Sequence, residues 1–564
     1  MRMNGAQAVI ECLKKENVDL VFGYPGGAVL TLYDAVYQNK FPHVLTRHEQ
    51  GAVHAADGYA RSSGKVGVCF ATSGPGAANL VTGIATANID SIPLVCITGQ
   101  VPTSLIGRDS FQEADVCGIT APVTKHNYLV KRVEDIPRVF KEAFHIASTG
   151  RPGPVLIDIA KDVFEHEIDF RYPEKVHLRG YKVQKDGNTD DIDKLIEALK
   201  EAEKPVIFVG GGVISSDTAP YIRQIARSTG IPVVESLMGL GSIESSAQEC
   251  LGMVGMHGTY TSNMAVMEAD LLIGIGVRFD DRVTGKTSEF APHAKIAHFD
   301  VDSAEISKNV NVDYSVVGNL RWSLPLFAAK LSVIGDDLKE QYQPWRDHVF
   351  EIKRNHPLTY RNNDKFIMPE ELVATVSSLC DKDTIVVTDV GQHQMWVAQY
   401  YDFRQERTMI TSGGLGTMGF GLPAAIGAKL ANKHRKVVLF TGDGSIMMNC
   451  QEFATLGDSG LDVKIIVLNN HMLGMVAQWQ RMFYNHHYAY SIMRGKTDFV
   501  KLVEAMGVKG YRIIEKDGYK EKLKAILDEK GPALVDVFIP DEENVFPMVP
   551  AGGRLDQMVL EADE

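Results

Sequence analysis

None of the seven cysteines (Cys12, Cys69, Cys96, Cys117, Cys250, Cys380, Cys450) has a Cys-x-x-Cys partner, which removes the usual zinc and dithiol signatures. Thiols scattered in this way read as reduced and mostly buried, as in a cytoplasmic protein. No apolar run reaches the roughly 20 residues of a membrane span. Positive charge is also short: 58 Lys and Arg stand against 71 Asp and Glu, a net charge of −13, with no long basic run to offset it. Nucleic acid and anionic membranes are therefore poor partners, although small anionic substrates need only local positive charge. The first residues enter an amphipathic helix pattern directly, with no signal-like or transit-like segment before it.

What is present is a repeated α/β grammar over 564 residues, a length that calls for several domains. Continuous apolar runs end in small-residue turns and are followed by helix-like stretches. Examples are Val66–Ala71, Val206–Val209, Leu271–Ile275, Ile385–Thr388 and Val437–Phe440. Such runs predict parallel sheets covered on both faces. Two polar stretches, Phe164–Asn188 and Ser332–Asp364, read as linkers. The expected layout is three doubly wound domains near 1–170, 188–335 and 365–545, with a tail over 546–564. The outer domains share a plan of strand, small-residue loop and Ala/Gly-rich helix (Ala77–Asn88, Leu422–Leu430). Duplication and shared α/β grammar account for this equally well.

The strongest chemical signal is Gly442-Asp443-Gly444-Ser445 followed by Asn469-Asn470, each closing an apolar strand. Adjacent strand ends in a parallel sheet bring such residues together beyond the carboxyl edge. Asp443 and Asn470 then offer two hard oxygens, and a carbonyl just after Asn470 a third, a set suited to Mg²⁺ shared with a phosphate. A helix starting near Ser445 would aim free N–H groups at a diphosphate. A lone Asp-Gly after a strand is usually only a turn; the spaced pair is more specific and resembles the thiamine-diphosphate binding motif.

A second signal is Arg47-His48-Glu49-Gln50, opening a predicted helix over Gly51–Arg61. Taken alone, Glu49 reads as a first-turn partner of the helix dipole. Tyr24-Pro25-Gly26-Gly27 and Gly74-Pro75-Gly76 read either as plain turns or as backbone approaching a ligand. Gly414-Leu415-Gly416-Thr417-Met418-Gly419 matches the dinucleotide fingerprint in letters, but no acid lies between Arg407 and Gly442, so a nicotinamide site is excluded there. His486-His487 lacks a third ligand at metal spacing and reads as a surface pair.

With their neighbours, these segments resemble the large subunits of acetohydroxyacid synthases nearly end to end. The matching runs include VFGYPGG (21–27), RHEQG (47–51), FATSGPGAANLVT (70–82), DSIPLVCITGQ (90–100), GRPGPVLID (150–158) and GMHG (255–258). Further matches are RFDDRVTG (278–285), GQHQMW (391–396), LGTMGFGLPAAIG (415–427), LGMVAQWQ (473–480) and NVFPMVP (544–550). Ala477 and Ala551-Gly552-Gly553 depart from the usual pattern, which bears only on substrate preference and tail ordering.

The resemblance implies an N-terminal pyrimidine-binding domain, a central FAD-binding domain and a C-terminal diphosphate and Mg²⁺ domain. It implies that Glu49 activates thiamine diphosphate, with Gln112 and Gly27 near the reacting carbonyl. Gly391, Gln392, His393, Gly416, Gly442, Gly444 and Ser445 would contact the cofactor, and Met418 would hold it bent. Asp443, Asn470 and the carbonyl of Met472 would hold Mg²⁺. FAD would meet Arg151, Gly210, Gly211, Gly212, His257, Gly258, Arg278, Asp300 and Asp302. Arg278 would bind the acceptor carboxylate, Trp479 and Met475 its alkyl group, and Phe111 and Lys161 would line the entrance. The implied reaction joins pyruvate to pyruvate or 2-oxobutyrate with loss of CO₂. The implied assembly is a homodimer or homotetramer with sites between chains, together with a small regulatory subunit. A flavin-dependent pyruvate oxidase, or a scaffold keeping an inactive thiamine site, are the competing readings. Without the family match, Trp479 reads as core packing and Arg278 as a surface ion pair.

Overall fold

In a computed structural model that describes residues 1–183, 186–493 and 495–561, the chain folds around three six-stranded sheets, each wholly parallel. Positions 184–185, 494 and 562–564, which fall in the first expected linker, the C-terminal domain and the tail, lie outside the described residues. The continuous apolar runs are the strands: Gly67–Ala71, Pro205–Val209, Leu271–Ile275, Ile385–Thr388 and Val437–Gly442 are buried along most of their length. Burial on both faces explains why they do not alternate with polar residues.

Numbered along the chain within each sheet, the N-terminal and C-terminal sheets share one strand order, 2-1-3-4-6-5. Shared topology favours duplication over shared grammar for the outer pair. The central sheet runs 3-2-1-4-5-6, the doubly wound order that binds ligands where the winding reverses. In the outer sheets the same reversal falls between strands 1 and 3. In the N-terminal sheet these are Val21–Gly23 and Gly67–Ala71, and in the C-terminal sheet Ile385–Thr388 and Val437–Gly442. The chain start, Arg2–Asn4, pairs antiparallel with Glu167–Asp169, tying the two ends of the first unit together.

The helices Glu49–Ser63 and Gly421–Ala431 cross with their backbones in contact. A Cβ on Gly427 would stand 1.8 Å from the Ala55 carbonyl oxygen, and one on Gly58 would stand 2.1 Å from that of Ala424. Glycine at both crossing points lets the N- and C-terminal units dock at a distance no side chain would permit.

Three expectations change. The stretch Ser332–Asp364 is mostly not a linker: helix Leu320–Gln341 runs through its start and helix Gln343–Asn355 follows. Leu338, Tyr342, Trp345 and Val349 form an apolar stripe buried against the central unit. The predicted helix over Ala77–Asn88 is two, Pro75–Ala78 and Val81–Ile89. The helix expected to start near Ser445 begins as a 3₁₀ turn over Ser445–Asn449, and α-helix follows only from Glu452. No described helix is long and apolar enough to cross a membrane.

Candidate active site

At the C-terminal sheet, the loops Asp389–His393 and Gly442–Ser445 leave adjacent strands on either side of the winding reversal. His393 fits between two glycines: a Cβ on Gly391 or on Gly442 would lie 3.1 Å from its ring. The ring is fully buried, Nε2 has no hydrogen-bond partner, and burial pushes its pKa down to about 3, so it is neutral. Such an orphan atom marks a place where a ligand group is missing from the hydrogen-bond account.

Asp443 is buried at the next strand end, where desolvation pushes its carboxyl up to about 7. Asn470 donates from Nδ2 to Gln392 Oε1 at 3.2 Å, while its Oδ1 accepts the Met472 N–H at 3.2 Å. Ser445 Oγ donates to the Val390 carbonyl at 2.9 Å, closing the floor between the two loops. Among the described residues no group of three or more His, Cys, Asp or Glu is placed to hold a metal. One carboxylate, one amide oxygen and one carbonyl suit Mg²⁺, which takes few protein ligands when phosphate supplies the rest. The residues present fit a diphosphate with its cation.

At the N-terminal sheet, Glu49 opens helix Glu49–Ser63 behind the N-cap His48, whose Nδ1 accepts the Gln50 N–H. Glu49 is only 8% exposed, and its Oε2 accepts from Asn79 Nδ2 at 3.0 Å. A Cβ on Gly76 would approach Glu49 Oε1 to 3.1 Å, and one on Gly74 (φ +59°) would meet Gln112 at 2.9 Å. Thr72 joins the two glycine turns, with its Oγ1 accepting the Ala28 N–H at 3.3 Å. Gly27 faces open space, Lys161 is half-buried and Phe111 is 87% exposed. Glu49, Gln112 and the turns of Gly26–Gly27 and Gly74–Gly76 thus share one sheet edge.

A cavity of about 1110 Å³ opens between the three units. From the expected residues it is lined by Arg151, Gly210, Gly211, Gly212, His257, Arg278, Asp300, Gly391, Gly416, Met418, Met475 and Trp479. Its floor is the central winding reversal, where Gly210 and Gly212 pack on the Gly276 backbone. His257 Nδ1 and Trp479 Nε1 are buried without partners, and burial pushes the His257 ring down to about 4. Arg278 pairs with Asp280 at 3.3 Å. Arg151 donates to Glu305 at 2.7 Å and to Ser91 Oγ at 2.8 Å. A large, mixed-polarity cavity over a doubly wound sheet fits a dinucleotide.

The structure does not bring every expected residue there. Asp302 caps the Ala304 N–H and lies 3.8 Å from Arg151, and Gly258 packs on Gly255, both outside the cavity wall. Glu49, Gly27, Gln112, Phe111 and Lys161 are also absent from its lining. His486 and His487 are exposed, as expected of a surface pair. Sequence reasoning missed Asn79, the partner of Glu49, and Asp389, which accepts the Gly419 N–H at 2.8 Å. Asp389 had a signal, since it stands two residues before the run 391–393 at the end of an apolar strand.

Comparison with known proteins agrees with this geometry. The thiamine pyrophosphate enzyme N-terminal TPP binding domain matches residues 3–119, the central domain 192–327 and the C-terminal TPP binding domain 389–537. A probable acetolactate synthase large subunit of Methanocaldococcus jannaschii is 48% identical over 99% of this chain and 95% of its own. The acetolactate synthase large subunit of Haemophilus influenzae is 46% identical over 99% and 98%. The chain belongs to the acetolactate synthase large-subunit family. A chloroplastic acetolactate synthase of Arabidopsis thaliana is 44% identical, over 99% of this chain and 85% of its own. The N-terminal and C-terminal units both match TPP binding domains, so thiamine diphosphate is a cofactor of this family's fold.

Proposed function

We propose that this chain is a catalytic subunit that joins pyruvate, with loss of CO₂, to a second pyruvate or to 2-oxobutyrate. The products are 2-acetolactate and 2-aceto-2-hydroxybutyrate, at the first common step toward valine, leucine and isoleucine. The observation that carries the reading is the shared cavity: Arg278, Trp479 and Met475 open onto the same space as Gly416 and Met418 of the cofactor loop. An oxoacid acceptor offers one carboxylate and a short alkyl group, and the cavity wall offers the Arg278 guanidinium for the first and the apolar side chains of Met475 and Trp479 for the second. Products formed from pyruvate alone, and with 2-oxobutyrate added, test the assignment; absence of both acetohydroxy acids from folded, cofactor-loaded protein would reject it.

When bound, thiamine diphosphate supplies a nucleophilic carbon and an electron sink for decarboxylation. Gly391, Gln392, His393, Gly442, Gly444 and Ser445 would hold the diphosphate, and Asp443, Asn470 and the Met472 carbonyl would hold Mg²⁺. Glu49 would hold or release a proton at Oε1 or Oε2 beside the cofactor's pyrimidine, and Gln112 and Gly27 would face the reacting carbonyl. Met418 and Met475 would give the site an apolar side that excludes water, and Trp479 would meet the alkyl group of the acceptor. Arg151, Gly210, Gly211, Gly212, His257 and Asp300 would hold FAD in the central cavity, as a structural group, because the net reaction transfers no electrons. An analogue unable to cycle its redox state should then support carboligation. Reduction of bound flavin by pyruvate at catalytic rates would favour the oxidase reading instead.

The N-terminal catalytic edge and the cavity are completed by a second copy of the chain. Supporting this, Glu49 and Gln112 do not line their own chain's cavity, while Phe111, Leu415, Met448 and Val476 are exposed apolar residues at the two edges. Mixing Glu49→Gln and Asp443→Asn subunits should restore part of the activity that each lacks alone. The names of several relatives include "large subunit", which supports a small regulatory partner.

A further inference from the structure

The loop that carries Gly416 and Met418 is held from a distance of more than 300 residues. Asp90, at the end of helix Val81–Ile89, has a fully buried side chain. Its Oδ2 accepts the Gly413 N–H at 3.0 Å and its Oδ1 the Gly414 N–H at 2.8 Å. Arg61 donates from Nη2 to Asp90 at 2.9 Å, from Nε to Asp57, and from Nη1 to the Thr411 carbonyl at 2.8 Å. The same guanidinium lies 5.3 Å from the centre of the Phe420 ring. Thr86 and Thr417 share a hydroxyl hydrogen bond of 2.7 Å.

The N-terminal unit therefore grips the loop at Thr411, Gly413, Gly414, Thr417 and Phe420. Gly416 (φ +69°) and Met418 lie within this gripped stretch and face the cavity. A Cβ on Gly414 would stand 2.9 Å from Asp90 Oδ1, so glycine is what lets the carboxylate reach the backbone. Taking a carboxylate wholly out of water is costly unless donors surround it. Here the donors are one guanidinium and two loop amides, so the carboxylate's burial is compensated only when the loop is in this conformation.

We propose that Asp90 is a positioning residue for the reaction, pinning the 411–420 loop so that Gly416 and Met418 stand at a fixed place against the cofactor. The proposal rests on the reading of those two residues as cofactor contacts. Asp90→Asn keeps the side chain's shape, but its NH₂ must face Arg61 or a loop N–H, donor against donor.

In the holoenzyme, kcat for acetolactate formation should fall about 10²-fold, the scale of a misplacement near 1 Å, while KM for pyruvate moves little. Hydrogen exchange of the Gly413 and Gly414 amides should speed up about 10–100-fold, the factor matching loss of a charge-assisted bond. Helix Gly421–Ala431 and strand Val437–Gly442 should keep their protection. Unchanged exchange and turnover in Asp90→Asn would overturn the proposal, and so would a loosened loop with unchanged kcat. If the variant does not fold, the wild-type holoenzyme decides: Gly413 and Gly414 amides exchanging at the rate of free chain would also overturn it. Failure of the functional reading itself has a different signature, wild-type protein that makes no acetohydroxy acid.

Discussion

Trp479→Leu separates acceptor choice from the rest of the reaction. Trp479 lies on helix Gly474–Phe483 with its indole in the wall of the cavity, next to Met475 and Val476. Its Nε1 makes no hydrogen bond, and its ring meets Phe483 edge-on with centroids 6.4 Å apart. The substitution therefore breaks no polar contact; it removes an aromatic face and leaves a smaller apolar one. The helix stays anchored through its neighbour Gln478, whose Oε1 accepts from Gln392 Nε2 and from the Val545 N–H, both at 2.9 Å. Pyruvate and 2-oxobutyrate differ by one methylene, which an apolar wall rewards by about 1–3 kcal/mol, or roughly 10–200-fold in preference. Trp479→Leu should lower the preference for 2-oxobutyrate by up to that factor and leave acetolactate formation from pyruvate largely intact. The assay is the ratio of the two acetohydroxy acids formed in competition at known oxoacid concentrations. An unchanged ratio in a folded, active variant would return Trp479 to core packing.

Glu49→Gln retains an oxygen for the Asn79 donor, so folding and cofactor binding should persist while turnover drops about 10²–10⁴-fold; near wild-type turnover would remove Glu49 from proton transfer. Gly427→Ala places a methyl 1.8 Å from a backbone oxygen and should cost about 1–3 kcal/mol or more, read as a lower denaturation midpoint; an unchanged midpoint would contradict the backbone contact. Glu235, fully buried, is pushed by desolvation from an ordinary 4.5 up to about 8. Between those values the unfolded chain releases the proton and the folded chain keeps it, so this group's contribution to stability falls as pH rises and levels off above about 8. Glu235→Gln should therefore gain on the parent protein across that window, and parallel stability curves would refute the assignment.

The sheets were readable because buried parallel strands are continuous apolar runs bounded by small-residue turns. The helices over 320–355 were not, although Leu338, Tyr342, Trp345 and Val349 follow helical spacing, because the charged outer face dominates that stretch. Gly391–His393 and Gly442–Ser445 were visible as consecutive motif residues at strand ends. Asp90 was not, since its role lies in contacts with Gly413 and Gly414, more than 300 positions away, and an acid at a helix end is otherwise unremarkable. Asn79 was hidden in the same way: like Asp90 it stands inside a quoted run, but only the fold turns it toward Glu49. Motif reading finds groups that touch a ligand through their own sequence neighbourhood, while positioning groups become visible only once the chain is folded.

The central claim is that two oxoacids are joined at one site without net oxidation. It is tested most directly by the stoichiometry of a single incubation of the cofactor-loaded protein with pyruvate, following CO₂, acetolactate and the flavin absorbance together. The account predicts one CO₂ and one acetolactate for every two pyruvates consumed, with the flavin remaining oxidised. One CO₂ per pyruvate with no acetolactate, or with the flavin bleaching as pyruvate disappears, would contradict it.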